Sequence, residues 1–150
     1  MLDRIDARIL MELQRDAAQT QRDLAEKVGL SQNACWRRIR NLQERGILVG
    51  QTVRIDREAL NHSLVVFAMI RTRKHSADWL KLFRAHVLSI PDITEFHRIG
   101  GDYDYMLKIV TTDMKSYDRI YQRLIEKLEL DAVTSYFSME TIAENRPIEF

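Results

Sequence analysis

Residues 24–48 have the sequence LAEKVGLSQNACWRRIRNLQERGIL, which predicts two short helices joined by a tight turn. Apolar residues recur at helical spacing in both, with Leu24, Ala25 and Val28 in the first helix and Cys35, Ile39 and Leu42 in the second. Gly29 suits the left-handed position that ends a helix, Ser31 is a favourable cap for the next helix, and Gly46 ends that one. Two short helices around a glycine turn, the second rich in arginine, are typical of a helix-turn-helix.

One further helix precedes this pair. Asp3 is a favourable N-cap for it. Its apolar stripe consists of Ile5, Ile9 and Leu13, at the spacing of one helix face. Thr20 then caps the first helix of the pair, in a weaker form of the capping box. The sequence therefore predicts an N-terminal helix-turn-helix domain, winged-helix-like, over residues 1–48.

The second helix of the pair has a basic outer side. Between residues 31 and 45 there are four arginines and one acidic residue, Glu44, although the net charge of the whole chain is only +1. A basic helix on a near-neutral protein favours sequence-specific DNA binding over general binding to polyanions. The charge alone also fits an ordinary solvated helix face, so both interpretations stay open at this point.

The side of this helix opposite its buried stripe carries the residues that would enter a DNA groove. Residues near the start of a recognition helix reach base edges, whereas flanking side chains and helix N-termini contact phosphates. The candidate base contacts are Asn33, Ala34 and Arg37. The candidate phosphate contacts are Ser31, Gln32, Arg38 and Arg40, with Thr20 and Gln21 as weaker ones. Asparagine can pair with adenine and arginine with guanine, each pair giving about 1–3 kcal/mol of discrimination.

The second half of the chain has a different periodicity. Residues 49–63 form an extended segment and a polar linker, and residues 64–150 form the second predicted domain. Its elements are a strand over 64–72, a helix capped by Ser76, strands over 93–99 and 103–111, a helix capped by Asp113, and a last strand over 132–141. The order βαββαβ is the ferredoxin-like arrangement. The predicted fold class is thus α+β, with a strand linker between the two domains.

The first strand of this second domain predicts assembly. One apolar face carries Leu64, Val66, Ala68 and Ile70, and the other carries Val65, Phe67 and Met69. Two helices cover only one face of such a sheet, and an apolar face left in water favours aggregation. We therefore expect a homodimer at least, with the sheet of a second copy against the uncovered face.

Composition excludes several other classes of protein. A single cysteine, Cys35, excludes a disulfide framework and a multi-cysteine zinc module, and its place on the buried stripe predicts an inert side chain. The four histidines lie at least 11 residues apart, so no metal site and no cofactor are expected. The longest apolar run, residues 64–70, is far shorter than the roughly 18 residues of a membrane span, and the charged amino end does not resemble a secretory signal. We expect a soluble cytoplasmic protein.

Three motifs together resemble a known family. They are LDRIDARIL at residues 2–10, the helix-turn-helix stretch at 24–48, and GDYDYMLKI at 101–109 followed by Asp113-Met114. In this order and spacing they resemble the leucine-responsive and asparagine-responsive (Lrp/AsnC, or feast/famine) transcriptional regulators. The resemblance implies DNA binding at the nucleoid by dimers that build larger assemblies, commonly octamers. It also implies that amino acids or related small molecules are sensed where dimers meet.

The resemblance places the effector site around one loop and the last strand. The candidate effector residues are Gly100, Gly101, Asp102, Tyr103 and Asp104 in the loop, with Thr134, Tyr136 and Ser138 after it. A glycine pair leaves backbone N–H groups unshielded, which suits a carboxylate, and Asp102 or Asp104 can accept an α-ammonium group. The same residues also fit a plain hairpin turn with no ligand.

These observations predict a sequence-specific DNA-binding transcriptional regulator whose assembly and DNA binding respond to an amino-acid-like effector. Two-fold symmetry predicts pseudo-palindromic duplex sites. One alternative is a nucleoid-associated protein that organises DNA without an effector. A remote alternative is a small-molecule enzyme of the dimeric ferredoxin-like class, for which Asp102 and Asp104 would be the only acid–base candidates. We expect no enzyme and no catalytic residue, and the sequence does not predict the effector, the DNA sequence or the direction of regulation.

Overall fold

The computed structural model of the protein describes residues 2–150. The chain forms two compact units, one made of residues 2–54 with 142–150 and the other of residues 55–141. The first unit contains the helices α1 (Arg4–Arg15), α2 (Gln21–Val28) and α3 (Gln32–Glu44). The second unit contains β1 (Leu64–Arg71), α4 (Ala77–Leu88), β2 (Ile93–Arg98), β3 (Tyr105–Thr111), α5 (Met114–Ile125) and β4 (Ala132–Phe137). This order confirms the predicted α+β fold class.

Polar caps fix where the helices begin. The Asp3 carboxylate accepts hydrogen bonds from the backbone N–H groups of Ile5 and Asp6, both at 2.8 Å, and so satisfies two donors that the first turn leaves unpaired. The same kind of bond is made by Thr20, Ser31, Ser76 and Asp113 at the starts of α2, α3, α4 and α5. All five caps stand where the sequence predicts them.

The first unit is a three-helix domain built around one small core. Its fully buried residues come from all three helices and are Ile9, Leu10, Leu24, Ala25, Val28, Cys35 and Leu42. Gly29 ends α2 with a left-handed backbone, φ +74°, and the backbone N–H of Leu30 bonds to the Ala25 carbonyl at 2.9 Å. This closed turn sets the direction in which α3 leaves α2, and it makes the predicted helix-turn-helix.

The second unit is a four-stranded antiparallel sheet in the order β2-β3-β1-β4, which is the ferredoxin-like topology. Val66 on β1 pairs with Ile109 on β3, and Phe67 pairs with Tyr136 on β4. Helices α4 and α5 cover one face through Phe83, Val87, Tyr117, Ile120 and Leu124. The opposite face carries Phe67, Met69, Met106 and Val110, all only partly buried. We call these four residues the open face.

The structure differs from the sequence expectation at several chain segments. The last strand ends at Phe137 rather than at residue 141, and residues 49–55 form no strand, since neither segment has a neighbouring strand to pair with there. Residues 142–150, which the sequence assigns to the second domain, lie in the first compact unit. The Gln14 side-chain amide holds them there, because it receives the Ile148 N–H at 2.8 Å and donates to the Ile148 carbonyl at 3.1 Å.

None of the helices in residues 2–150 is both long enough and apolar enough to span a bilayer.

Candidate DNA-binding and effector sites

The outer side of α3 carries the predicted DNA contacts on a helix that its own unit holds in place. Cys35 and Leu42, on the inner side, are fully buried, which fixes the rotation of the helix about its axis. Asn33, Arg37 and Arg40 are exposed, as are Ser31 and Gln32, while Ala34 is partly buried. Thr20 and Gln21 are exposed at the start of α2. The structure thus leaves the predicted base contacts accessible along the first half of α3.

The start of α3 is suited to an anion. Ser31 accepts the Ala34 N–H at 3.3 Å, while the backbone N–H groups of Gln32 and Asn33 lie at the positive end of the helix dipole. No acidic side chain lies in the first turn of α3, whereas α1 and α2 each have one. A DNA phosphate would therefore meet favourable charge at this helix end.

Arg38 has an intramolecular role that the sequence analysis missed. Its guanidinium Nη1 donates to the Asp3 carboxylate at 2.6 Å and to the Asp6 carboxylate at 2.8 Å. The hydrogen bond to Asp3 and then that to Asp6 raise the pKa of Arg38 above its usual value. The Asp6 side chain is only 10 % exposed, so this contact ties α3 to the start of α1. The phosphate contact of Arg38 stays a prediction, now with a competing use for the same side chain.

Trp36 lies beside the candidate base contacts. Its side chain is 44 % exposed, and the Arg40 guanidinium lies 5.3 Å from its ring centroid, a cation–π contact. Glu44 holds the other side of Arg40, with Nε and Oε1 at 3.3 Å. The neighbouring Cys35 is fully buried, and this burial raises the pKa of its thiol, as expected for an inert side chain.

The loop from Gly100 to Asp104 is held in shape by bonds to β1. The Ile99 N–H bonds to the Asp104 carbonyl at 2.9 Å, which closes the loop, and Gly101 has φ +119°, a conformation that favours glycine. The Asp104 carboxylate accepts the backbone N–H of Thr72 at 2.8 Å. Asp104 therefore fastens the loop to the end of β1, whereas the Asp102 side chain is exposed.

Three hydroxyl groups meet next to this loop. Tyr103 donates to the Thr134 hydroxyl at 3.1 Å, and hydrogen bonding with Thr134 and then with Tyr136 lowers the pKa of Tyr103. The hydrogen bond between Tyr103 and Tyr136 raises the pKa of Tyr136. The structure therefore brings the five loop residues together with Thr134 and Tyr136. We call these seven residues the loop cluster.

Ser138 lies apart from the loop cluster. Its backbone N–H bonds to the Val65 carbonyl at 2.9 Å, at the opposite end of β1 from the loop. It lines a surface cavity of about 370 Å³ together with Arg57, Glu58 and Glu140. Its assignment to the effector site stays a prediction without support from the geometry of one chain.

Arg71 contacts the loop cluster and was missed by the sequence analysis. Its Nε donates to the Asp102 carbonyl at 2.8 Å, and its guanidinium carbon lies 5.1 Å from the centroid of the Tyr103 ring. The one available signal was an arginine that ends an otherwise apolar strand. Within residues 2–150 no cluster of three or more histidine, cysteine or acidic side chains is placed to hold a metal ion.

Comparisons with known proteins agree with this geometry. Residues 65–148 match the Lrp/AsnC ligand-binding domain, and residues 2–49 match a winged helix-turn-helix DNA-binding domain. The glutamate uptake regulatory protein of Zymomonas mobilis is 42 % identical over 94 % of this chain and 86 % of its own length.

Two solved structures share the fold. An AsnC-family transcriptional regulator of Agrobacterium tumefaciens is 43 % identical, with TM-score 0.91 over 95 % of this chain and 94 % of its own. A transcriptional regulator of Neisseria meningitidis in complex with L-methionine is 27 % identical, with TM-score 0.92 over 99 % of this chain and 96 % of its own. The family resemblance seen in the sequence is therefore confirmed: the chain belongs to the Lrp/AsnC family, whose members are transcriptional regulators and not enzymes.

Proposed function

We propose that this protein binds pseudo-palindromic duplex DNA as a homodimer or a larger assembly such as an octamer, and that a bound amino acid changes its DNA binding. One observation carries the proposal. The same chain joins an exposed basic recognition helix to a ferredoxin-like unit that has an open apolar face and a polar loop cluster. Such a regulator acts at the nucleoid in the cytoplasm.

On DNA, Asn33, Ala34 and Arg37 would face base edges, since they stand on the exposed first half of α3. The start of α3, with Ser31 and Gln32, would hold a phosphate. Arg40 would hold a second phosphate from the flank of α3, and Thr20 and Gln21 would do so from the start of α2. Phosphate contacts would fix the register of the domain, and the base contacts would supply the sequence preference.

The open face supports the homodimer. Burying the sheets of two copies against each other removes apolar surface from water, which stabilises association by about 25 cal/mol per Å² of apolar area. A two-fold dimer presents two recognition helices related by the same axis, so its two half-sites would lie one helical turn or a multiple of it apart. This symmetry is the reason for expecting pseudo-palindromic DNA.

An amino acid is the proposed effector for two reasons. The related Neisseria meningitidis regulator was solved in complex with L-methionine, and the Zymomonas mobilis relative is named as a regulator of glutamate uptake. The loop cluster offers the donors and acceptors that a small zwitterion needs, namely hydroxyl groups, backbone N–H groups and the exposed Asp102 carboxylate. Binding between subunits would favour one assembly over another and so link DNA occupancy to the effector concentration.

The DNA half of the proposal is tested by mobility shift on the promoter next to the protein's own gene. Arg37→Ala is expected to weaken binding by about tenfold or more, since a lost bidentate base contact costs about 1–3 kcal/mol. Arg84→Ala, on the exposed side of α4, removes the same charge far from the recognition helix in sequence and serves as the control. Equal affinity of wild type and Arg37→Ala at moderate salt would show that the recognition helix is wrongly assigned.

The effector half is tested by calorimetry, sedimentation and DNA affinity with each of the twenty amino acids. At least one amino acid is expected to bind without being turned over and to change either the oligomeric state or the DNA affinity. If all three measurements are unchanged for every amino acid, the protein organises DNA without sensing, which is the second candidate function.

A further inference from the structure

We infer that Trp36 is a positioning residue for DNA binding, because its ring holds the Arg40 guanidinium ready to contact a phosphate of the duplex. The inference rests on the proposed DNA-binding function, in which Arg40 holds a phosphate from the flank of α3. It starts from a large apolar side chain that the core of the first unit does not use.

Trp36 does not belong to the core of its own unit. The buried core and the apolar side chains packed against it come from other positions, which on the same helix are Cys35, Ile39 and Leu42. Trp36 is 44 % exposed, the largest side chain on the outer half of α3. Core packing therefore does not explain a tryptophan at this position.

Three side chains form a ladder along one flank of α3. Trp36, Arg40 and Glu44 follow one another at intervals of four residues, the spacing that makes neighbours on a helix surface. The Arg40 guanidinium carbon lies over the Trp36 ring, 5.3 Å from its centroid, within the range of a cation–π contact. Its Nε donates to Glu44 Oε1 at 3.3 Å. The guanidinium is thus held on one face by a ring and at its Nε edge by a carboxylate.

The two Nη groups of Arg40 stay available for a ligand. Among residues 2–150 the structure gives Arg40 no acceptor other than Glu44, and its side chain is 61 % exposed. A guanidinium binds a phosphate through two parallel N–H groups. Because a free arginine side chain loses rotamer freedom when it binds, holding the guanidinium beforehand lowers that cost. Trp36 would therefore strengthen a phosphate contact without touching the DNA itself.

The ring and the carboxylate of the ladder have opposite effects on a phosphate. Glu44 is negative and repels it, and the Glu44–Arg40 ion pair contributes little because both side chains are largely exposed. The Trp36 ring has no net charge and attracts the guanidinium through its π face, so it can stay in place while a phosphate binds the Nη groups. We expect the contact between Trp36 and Arg40 to persist on DNA and the ion pair with Glu44 to give way.

Two other roles for Trp36 make a different prediction. If Trp36 only supports the fold of its unit, or if its ring contacts DNA directly, its loss weakens binding by the same factor whether or not Arg40 is present. If Trp36 acts through Arg40, its loss matters only while Arg40 is there. A double-mutant cycle over the two residues separates these cases.

The experiment measures DNA affinity of the full-length protein by fluorescence anisotropy at several salt concentrations. The probes are the promoter next to the protein's own gene and a random-sequence duplex of the same length. Arg40→Ala is expected to weaken both duplexes by about tenfold for each recognition helix and to lower the salt slope by about one, as for a lost phosphate contact. Arg84→Ala, on the exposed side of α4, removes the same charge and is the control.

The cycle then adds the ring variants. Trp36→Leu is expected to weaken both duplexes by about two- to fivefold for each recognition helix, the worth of an exposed cation–π contact. Trp36→Phe keeps an aromatic face and is expected to restore most of this loss. In the Arg40→Ala background, Trp36→Leu is expected to change neither the affinity nor the salt slope.

Thermal unfolding checks the fold of every variant, and Trp36→Met takes the place of Trp36→Leu in the cycle if the leucine variant does not fold. A Trp36→Leu protein that binds as the wild type does, or that is weakened equally with and without Arg40, overturns the inference. So does an Arg40→Ala protein with unchanged affinity. Equal losses in Trp36→Leu and Trp36→Phe overturn the role of the ring. A wild type that binds neither duplex overturns the proposed DNA-binding function together with it.

Discussion

The two units of this chain differ in how much of a functional surface each one completes by itself. In the first unit, the recognition helix packs its inner side on a core made by the same three helices and leaves Asn33 and Arg37 facing outward. In the second unit, the loop cluster lies at the edge of a sheet whose open face is only partly buried. The proposed DNA-binding surface is therefore formed within one chain, whereas the open face would be covered only in the proposed homodimer. A regulator can use this difference, because changing the assembly leaves the recognition helix itself intact.

Charge is also arranged differently in the two units. Arg38 is paired with Asp3 and Asp6, so Arg37 is the arginine that remains exposed on the first half of α3. In the second unit, Arg71 has a carbonyl and an aromatic ring as neighbours instead of a carboxylate. The first unit thus uses one arginine in ion pairs with its own carboxylates, whereas Arg71 in the second unit holds a loop through a backbone carbonyl.

The largest effect is expected from breaking the assembly. Phe67→Asp places a carboxylate in the centre of the open face, opposite Lys108 on β3, where a dimer would bury it at a cost of several kcal/mol that the lysine only partly offsets. Sedimentation should show monomers, and DNA affinity should fall by about 100-fold or more because one recognition helix replaces two. Leu82→Asp, at a residue 65 % exposed on α4, is the control and should leave at least the dimer intact. A dimeric Phe67→Asp protein would place the interface elsewhere.

The next effect should fall on the first unit alone. Asp6→Asn removes the buried charge that receives Arg38 at 2.8 Å, and we expect a loss of about 2 kcal/mol in the free energy of unfolding, reduced from the fully buried case because Arg38 is 33 % exposed. Chemical denaturation followed through Trp36 in a Trp79→Phe background measures it. Glu44→Gln breaks an exposed ion pair with Arg40 and should cost less than about 0.5 kcal/mol. Equal losses in the two variants would contradict the structural role of Arg38.

The same contrast explains what could be predicted from the sequence. The caps, the apolar stripes and the outer side of α3 depend on residues within one or two helical turns, so local spacing was enough to place them. The ferredoxin-like topology followed from the order of the elements, because few other connections are possible for it. These features of the fold were confirmed without knowledge of any long-range contact.

The contacts that the sequence did not reveal join distant residues. Arg38 bonds to residues 35 and 32 positions earlier, and Arg71 bonds to a carbonyl 31 positions later. An arginine looks the same in a sequence whether it faces solvent, a carboxylate or a loop carbonyl, and only the register of the strands and helices decides which. For the same reason the sequence analysis grouped Ser138 with Thr134 and Tyr136 on the last strand, although β4 ends before it.

A smaller effect should come from the turn that aims the recognition helix. Gly29→Ala is expected to cost about 1 kcal/mol, since φ is +74° and a side chain is strained in that conformation, although no atom lies within 4 Å of the added carbon. Gly50→Ala is the matched control, because its surroundings are equally open and its φ is not in the left-handed region. Thermal unfolding of both variants measures the difference. Equal stability would mean that the turn relaxes without cost.

The smallest effect is a pH dependence that arises in each unit at the cap of one of its own helices. The backbone N–H of Asp6, followed by the Arg38 hydrogen bond, lowers the pKa of Asp3 below its ordinary value of 3.8. The unfolded chain therefore takes up the proton first as pH falls, so the stabilisation from Asp3 is complete above pH 3.8 and is lost as pH falls through the lower folded pKa. Asp3→Asn keeps a cap but removes this dependence.

The pKa of Asp113 is lowered in the same way at the start of α5, chiefly by the Ser116 N–H. Asp113→Asn is accordingly the matched variant of the second unit. Between about pH 5 and pH 3, the pH dependence of hydrogen-exchange protection should disappear for α1 only in Asp3→Asn and for α5 only in Asp113→Asn. If either variant removed the pH dependence of exchange in both helices, the two units would not respond to acid independently, which would contradict the contrast between them.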